Sequence, residues 1–345
     1  MRPVVPRSGP SPRTRLLASL ASAGLVFASA VLAPAVSAAS TWNRSDVKNF
    51  QHVFVVMMEN TGYDTLIGNP NAPWINWAAS NYGLATNAYG VTHPSQPNYI
   101  ALTSGSTQGV TGDYTTTVDA TNIVDQLEAA GKTWRDYQQS LSLCAGDLLA
   151  ASCGNQQYER KHNPFVSYAD VQSSVARMAN VVDLSQLQTD LASGDVADFN
   201  FIAPDQCNDM HGRGGPATDP CNYGNVQGLI RSGDTFLKNL VGEITSSSAW
   251  NGNSAIFITW DESDYTGTGP SGFGDTSGCC TANPGGGHVV TLVISHSANR
   301  ARTSGVAYNH YSILATIEDG WRLGHLGATA DPSVVPMSDL VGPSK

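Results

Sequence analysis

Thr92 to Tyr99 reads Thr-His-Pro-Ser-Gln-Pro-Asn-Tyr and runs into Ile-Ala-Leu-Thr-Ser-Gly. Prolines on both sides of Ser95 hold the backbone away from helical angles, so its hydroxyl is presented from a stiff turn just ahead of a helix expected at 98–103. A free hydroxyl is a weak nucleophile. It needs a base or a metal ion supplied from elsewhere in the chain. His93 lies two residues away, which in extended backbone puts both side chains on one side. Turns rich in Pro, Ser and Asn ordinarily only join elements, so the chemical reading depends on what converges with this one.

Three apolar, buried-type runs end abruptly in acids or an amide. They are His52 to Met58 before Glu59-Asn60, Phe199 to Ala203 before Asp205 with Asn208, Asp209 and His211, and Ala255 to Trp260 before Asp261-Glu262. Hard oxygen ligands gathered at one edge of a parallel sheet make a site for a divalent cation, and the Ser95 hydroxyl could complete it. Oxygen donors suit magnesium, calcium or manganese, and nearby histidines also admit zinc or iron.

Among the histidines, His211 sits in a glycine-flanked loop after a strand, which suits a proton donor or a ligand. His162 in Lys-His-Asn-Pro-Phe and His310 in Asn-His-Tyr-Ser are open between site and structure, and His288 follows three glycines at the start of a strand. His52, His296 and His325 read as structural or exposed. Asp261 and Asp264 with Thr266 and Gly267 resemble a fragment of a calcium loop but lack its distal glutamate.

The elements that must position these groups alternate. Helical patterns at 122–130, 183–192, 225–246 and 311–321 fall between strands at 52–58, 133–137, 199–203, 255–260 and 289–295, as in a parallel sheet sandwiched between helix layers. Residues 141–162 and 265–287 show no clear period, and loops of that length are functional or mobile.

With 345 residues and 41% apolar content the chain can bury a large core. Residues 1–38 read as a Sec-type signal peptide: Arg2, Arg7, Arg13 and Arg15, then the apolar stretch Leu16 to Val36, then Val36-Ser37-Ala38. The remainder, 39–345, is expected to be one secreted, monomeric domain without a stable membrane anchor. Removing the leader takes four of 18 basic residues and none of 28 acidic ones, leaving a formal charge of −14. That balance excludes nucleic acid as an electrostatic partner, whereas a bound cation would still admit a small phosphorylated substrate. Six cysteines in an exported chain suggest disulfides. Cys144 with Cys153 and Cys207 with Cys221 close short loops; a bond between the neighbours Cys279 and Cys280 is strained, which leaves them open to partners elsewhere.

Six segments together resemble the bacterial phosphoesterase family of secreted acid phosphatases and phospholipases C, within the alkaline phosphatase superfamily. They are Val-Val-Met-Met-Glu-Asn at 55–60, His-Pro-Ser-Gln-Pro-Asn-Tyr at 93–99, Lys-His-Asn-Pro-Phe at 161–165, Asn-Asp-Met-His at 208–211, Thr-Trp-Asp-Glu at 259–262 and Asn-His-Tyr-Ser-Ile-Leu at 309–314. The resemblance implies a three-layer α/β/α fold with a mostly parallel sheet. It implies a metal held by Glu59, Asn60, Asp261 and Glu262, a nucleophile at Ser95 that also touches it, and His211, His162 and His310 around the phosphoryl group. Ser-x-Pro-Asn also resembles the Thr-Phe-Pro-Asn nucleophile segment of nucleotide pyrophosphatases. Relatives often carry a second aspartate where this chain has Glu262. The expected activity is a metal-dependent acid phosphatase working through a phosphoserine, the alternatives being a phospholipase C or phosphoinositide phosphatase acting on a phospholipid headgroup. A secreted binding protein is the rival of another class, and retention of Ser95, Glu59, Asn60 and Asp261 argues against it.

Overall fold

Runs such as Val-Phe-Val-Val-Met-Met have apolar side chains at every position, so they are stable only as strands covered on both faces. In the computed structural model, which describes residues 47, 49–263, 274–296 and 301–342, such runs form the centre of one sheet. The leader and Asp264, Thr266 and Gly267 lie outside the described residues. In chain order the strands are β1 (Val53–Met58), β2 (Gly83–Tyr89), β3 (Trp134–Gln138), β4 (Ser152–Cys153), β5 (Tyr158–Glu159), β6 (Val181–Asp183), β7 (Phe199–Ala203), β8 (Ala255–Trp260), β9 (His288–Ser295), β10 (Arg302–Ser304) and β11 (Tyr308–Asn309).

All but β4 and β5 belong to the main sheet, in the order β10-β2-β9-β8-β1-β7-β3-β6, with β11 also on β2. Pairing is parallel throughout except at β9, which runs antiparallel to β8 and β2. Alternation along β1 feeds two cores. Val53, Val55 and Met57 pack with Tyr99, Leu127 and Ile317 from helices on one face. Phe54, Val56 and Met58 pack with Ile75, Leu187 and Leu237 from helices on the other. This is the expected three-layer α/β/α arrangement, with a mostly parallel sheet.

Some expectations are corrected. The nucleophile segment is not a turn ahead of a helix: the helix Ser95–Ser104 begins at Ser95 itself. Pro97 then lies in the first turn, where the missing N–H would be unpaired anyway, so it does not break the helix. The strand Gly83–Tyr89 and the helix Pro73–Asn81 carry no continuous apolar run and are not legible as sheet and layer. Residues 141–162 are short turns of 3-10 helix with the β4–β5 hairpin, stapled by Cys144–Cys153. Cys207 pairs with Cys221 as the loop lengths imply, whereas Cys279 and Cys280 pair with each other. Asn309 donates to the carbonyls of both neighbours at 3.1 and 3.2 Å, which fits the tight turn they form.

Candidate active site

Met58 and Trp260 are partners in the β1–β8 register, so Glu59-Asn60 and Asp261-Glu262 leave the carboxyl ends of adjacent strands side by side. Asp261 N–H donates to the Met58 carbonyl at 2.9 Å, and Asn60 N–H donates to Asp261 Oδ1 at 3.0 Å. On the other flank of β1, β7 leads to Asp209, whose carbonyl accepts from Glu59 N–H at 2.9 Å. Strand alternation puts Glu59 on the face of Met57, against the helix that begins at Ser95.

That helix is buried along its whole length and stops at Gly105, which has φ of 71°. A Cβ on Gly105 would stand 2.0 Å from the Leu326 carbonyl oxygen, so only glycine ends the helix here. At the other end, Gly90 and Gly286 pass so closely that a Cβ on Gly90 would lie 2.7 Å from the Asp261 carbonyl oxygen and 3.0 Å from Gly286. The segment before Ser95 is thereby pressed onto the end of β8. Asn98 Oδ1 accepts the N–H groups of Val91 and Thr92 at 2.9 and 3.0 Å and closes it.

Ser95 Oγ donates to Glu59 Oε2 at 3.0 Å and lies 3.2 Å from Glu262 Oε1 and 3.5 Å from Asn60 Oδ1. Tyr99, one turn further along the helix, donates its hydroxyl to Glu59 Oε1 at 2.6 Å. His162 stacks on Tyr99, its Nε2 stands 3.2 Å from the same oxygen, and its Nδ1 stands 3.7 Å from Asp209 Oδ2. His93 places Nδ1 against the Glu262 carboxylate and donates through Nε2 to the Asp275 carbonyl at 2.9 Å. His93 thus braces Glu262, and the helix start at Ser95 removes the extended geometry that paired His93 with the serine. His211 donates from Nδ1 to the Gly212 carbonyl at 2.6 Å, which leaves Nε2 as the nitrogen available to a substrate.

Asp205, Asn208, His288 and His310 hold the frame instead. Asp205 accepts from Ser140 and Gln157, each at 2.7 Å, and Asn208 bonds Gln139 and Ser232. His288 bonds the Thr86 carbonyl at 3.0 Å and stacks on Tyr63. His310, fully buried, bonds the Trp260 carbonyl at 3.0 Å just before Asp261. Tyr99 and Lys161 are functional candidates that sequence reading passed over. For Tyr99 the signal is its i+4 spacing from Ser95, readable once the helix start is known.

Burial is the first influence on each carboxyl at the site. Glu59, Asp209, Asp261 and Glu262 are all buried. Burial, followed by repulsion from Glu59 and Glu262, pushes the Asp261 carboxyl well up, and burial with the Glu59 charge does the same to Asp209. Burial raises Glu262 to about 6 against the pull of His93. Burial would also raise Glu59, but the charges of His162, Lys161 and His211 outweigh it and hold this carboxyl well below the usual range. His211 is lowered by burial, and so is His310, to about 4.

Among the described residues no three His, Cys, Asp or Glu side chains close on one point as a ready metal cage. The serine and amide oxygens widen the set, though, and the buried Asp261 Oδ2 has no hydrogen-bond partner. Glu59, Asn60, Ser95, Asp261 and Glu262 therefore fit a hard divalent cation by chemistry.

One sheet between two helix layers is a fold this chain shares with solved structures of low sequence identity. A protein in the alkaline phosphatase superfamily from Vibrio parahaemolyticus superposes with a TM-score of 0.54 at 12% identity, over 87% of this chain and 72% of its own. The phosphonate monoester hydrolase of Agrobacterium radiobacter gives 0.54 at 15%, over 82% and 77%. Residues 69–324 match the model of the Phosphoesterase family, and the chain belongs to that family, whose members are phosphoric-ester hydrolases. It is 29% identical to the phosphatidylinositol-3-phosphatase of Mycobacterium tuberculosis over 96% of both chains. It is 27% identical to an acid phosphatase of Aspergillus fumigatus over 84% of this chain, which spans 60% of that longer relative.

Proposed function

We propose that the chain hydrolyses phosphate monoesters in two steps through a phosphoserine at Ser95, with a divalent cation held by Glu59, Asn60, Ser95, Asp261 and Glu262. The observation that carries this is Ser95 Oγ itself, at the first position of a buried helix and ringed by oxygens of Glu59, Glu262 and Asn60 within 3.0–3.5 Å. An anionic ester approaches such a ring only if positive charge is supplied, and a bound cation supplies it while acidifying the hydroxyl. Ser95 attacks phosphorus in line, with the positive end of its helix facing the charge that develops on the phosphoryl oxygens. Tyr99 and His162 fix Glu59, and His93 fixes Glu262, so the ring holds its geometry through the step. His211, protonated on both nitrogens at acid pH, gives the Nε2 proton to the departing alcohol, and water then cleaves the phosphoserine and restores the hydroxyl.

The test is chemical quenching during turnover of an aryl phosphate, followed by mass spectrometry of the Ser95 peptide. Phosphate on Ser95 is expected, and Ser95→Ala should lower turnover by orders of magnitude. A variant keeping more than about a tenth of wild-type turnover, ~1.4 kcal/mol of barrier, removes Ser95 from the chemistry.

A phosphoinositide headgroup is a second reading, favoured by the end-to-end likeness to the mycobacterial phosphatase. Among the described residues no helix is long and apolar enough to cross a membrane. Three disulfides support an oxidising compartment, in line with export behind the leader at 1–38.

A further inference from the structure

A cleft of about 520 Å³ has His211, Lys161, Gln206, Tyr114 and Tyr223 in its lining, and two of the residues that line it, Asp113 and Tyr114, bond to Gln96, the neighbour of Ser95. Tyr114 and Tyr223 are 62% and 61% exposed, yet both backbones are tied down. Tyr114 N–H donates to Gln96 Oε1 at 2.7 Å, the side chain next to the nucleophile. Tyr223 N–H donates to the Arg213 carbonyl at 3.1 Å, beside the Arg213–Asn222 bridge that Cys207–Cys221 cross-links. Two aromatic rings are therefore carried into water on fixed supports at one cleft, although burial would stabilise each.

Gln206 points to what they meet. It is 3% exposed and lines the same cleft, and its Oε1 has no hydrogen-bond partner. A buried acceptor left unmade is costly, and a ligand hydroxyl would satisfy it. Lys161, in the same lining, donates to Asp113 Oδ2 at 3.0 Å, while Asp113 Oδ1 accepts from Gln96 N–H at 3.0 Å. The ammonium is thus held in register with the helix that carries Ser95, and can take a phosphate oxygen.

We infer that this cleft is a leaving-group subsite for a hydroxylated ring, a sugar or cyclitol, an inference that rests on the hydrolytic reading above. The C–H face of such a ring packs on the tyrosines and its hydroxyl donates to Gln206. An acyclic alcohol lacks the face, and a plain aryl ring lacks the hydroxyl.

The experiment compares kcat/KM for inositol monophosphate, glucose 6-phosphate, glycerol 3-phosphate and a plain aryl phosphate. Tyr223→Ala should lower both ring values, through KM, by roughly fivefold or more relative to glycerol phosphate, the scale of an aromatic packing contact. Gln206→Leu should lower them by about tenfold relative to the aryl ester, the scale of a buried hydrogen bond. Vesicles carrying a phosphoinositide, set against free inositol monophosphate, tell a lipid headgroup from a soluble source of the same ring. Parallel losses on all four esters, with melting temperatures held, would overturn the subsite. Absence of turnover on every ester would instead sink the hydrolytic reading. Calorimetric titration of inositol monophosphate into wild type and Tyr223→Ala then decides the cleft alone: weaker binding by the variant supports it and equal binding overturns it.

Discussion

Replacing Asp261 by Asn should invert the stability order of wild type and variant according to whether a divalent cation is present. Asn keeps the acceptor that Asn60 N–H uses at 3.0 Å and removes a carboxyl that burial and the charges of Glu59 and Glu262 push well up. In the cation-free protein at neutral pH that carboxyl folds only by taking up a proton. Each pH unit between the ordinary aspartate value and the working pH costs on the order of 1.4 kcal/mol, a few kcal/mol at about pH 7, and Asn avoids that cost. In chelator-treated protein Asp261→Asn should therefore melt higher than wild type, by about 5 °C or more. With saturating cation the order reverses: wild type gains about 2.7 kcal/mol at a hundred times Kd, and the variant, short of an anionic ligand, gains less. Differential scanning calorimetry on four samples measures this. A wild type whose melting temperature ignores both chelator and metal, or a variant less stable than wild type in both states, refutes the reasoning.

His211→Ala should damage hydrolysis of alkyl phosphates at least roughly ten times more than aryl phosphates, because only a poor leaving group needs the proton; equal losses in steady-state kinetics would move His211 to phosphate binding. Asp136 is raised to about 8 by burial, which the Gln138 amide only partly offsets. Its folded pKa exceeds its unfolded one, so its contribution is full below about pH 4 and is lost as pH rises towards 8. Urea denaturation should accordingly show Asp136→Asn gaining a few kcal/mol on wild type between pH 5 and 8, and a constant difference would contradict it. Gly105→Ala should cost more than about 1 kcal/mol through positive φ alone, with the Leu326 carbonyl adding to it, and should lower turnover by disturbing the Ser95 helix; unchanged melting and turnover would count against that coupling.

The strands that end at the site were legible because they are covered on both faces, so Val53–Met58, Phe199–Ala203 and Ala255–Trp260 read as unbroken apolar runs that stop at a polar residue. Gly83–Tyr89 is only partly buried near the sheet edge, mixes Thr and Asn with Leu and Ala, and has no such signature. The start of the Ser95 helix was hidden because proline reads as a breaker unless its place in the first turn is known. His288 and His310 look like His211 in sequence, and all three bond a backbone carbonyl; what distinguishes His211 is its place in the lining of a cleft, which no spacing reveals. The exposed rings of Tyr114 and Tyr223 sit on irregular segments, where no period marks an exposed side chain as purposeful.

The in-register pairing of Met58 with Trp260 sets the terms on which the chain can change. A substitution at Glu262 alters one donor, whereas a single-residue insertion inside Ala255–Trp260 would rotate everything beyond it by half a turn and send Asp261 towards the opposite helix layer. Lineages of this fold should accordingly accept new side chains at the strand ends more readily than new strand lengths, with insertions and deletions confined to the connections.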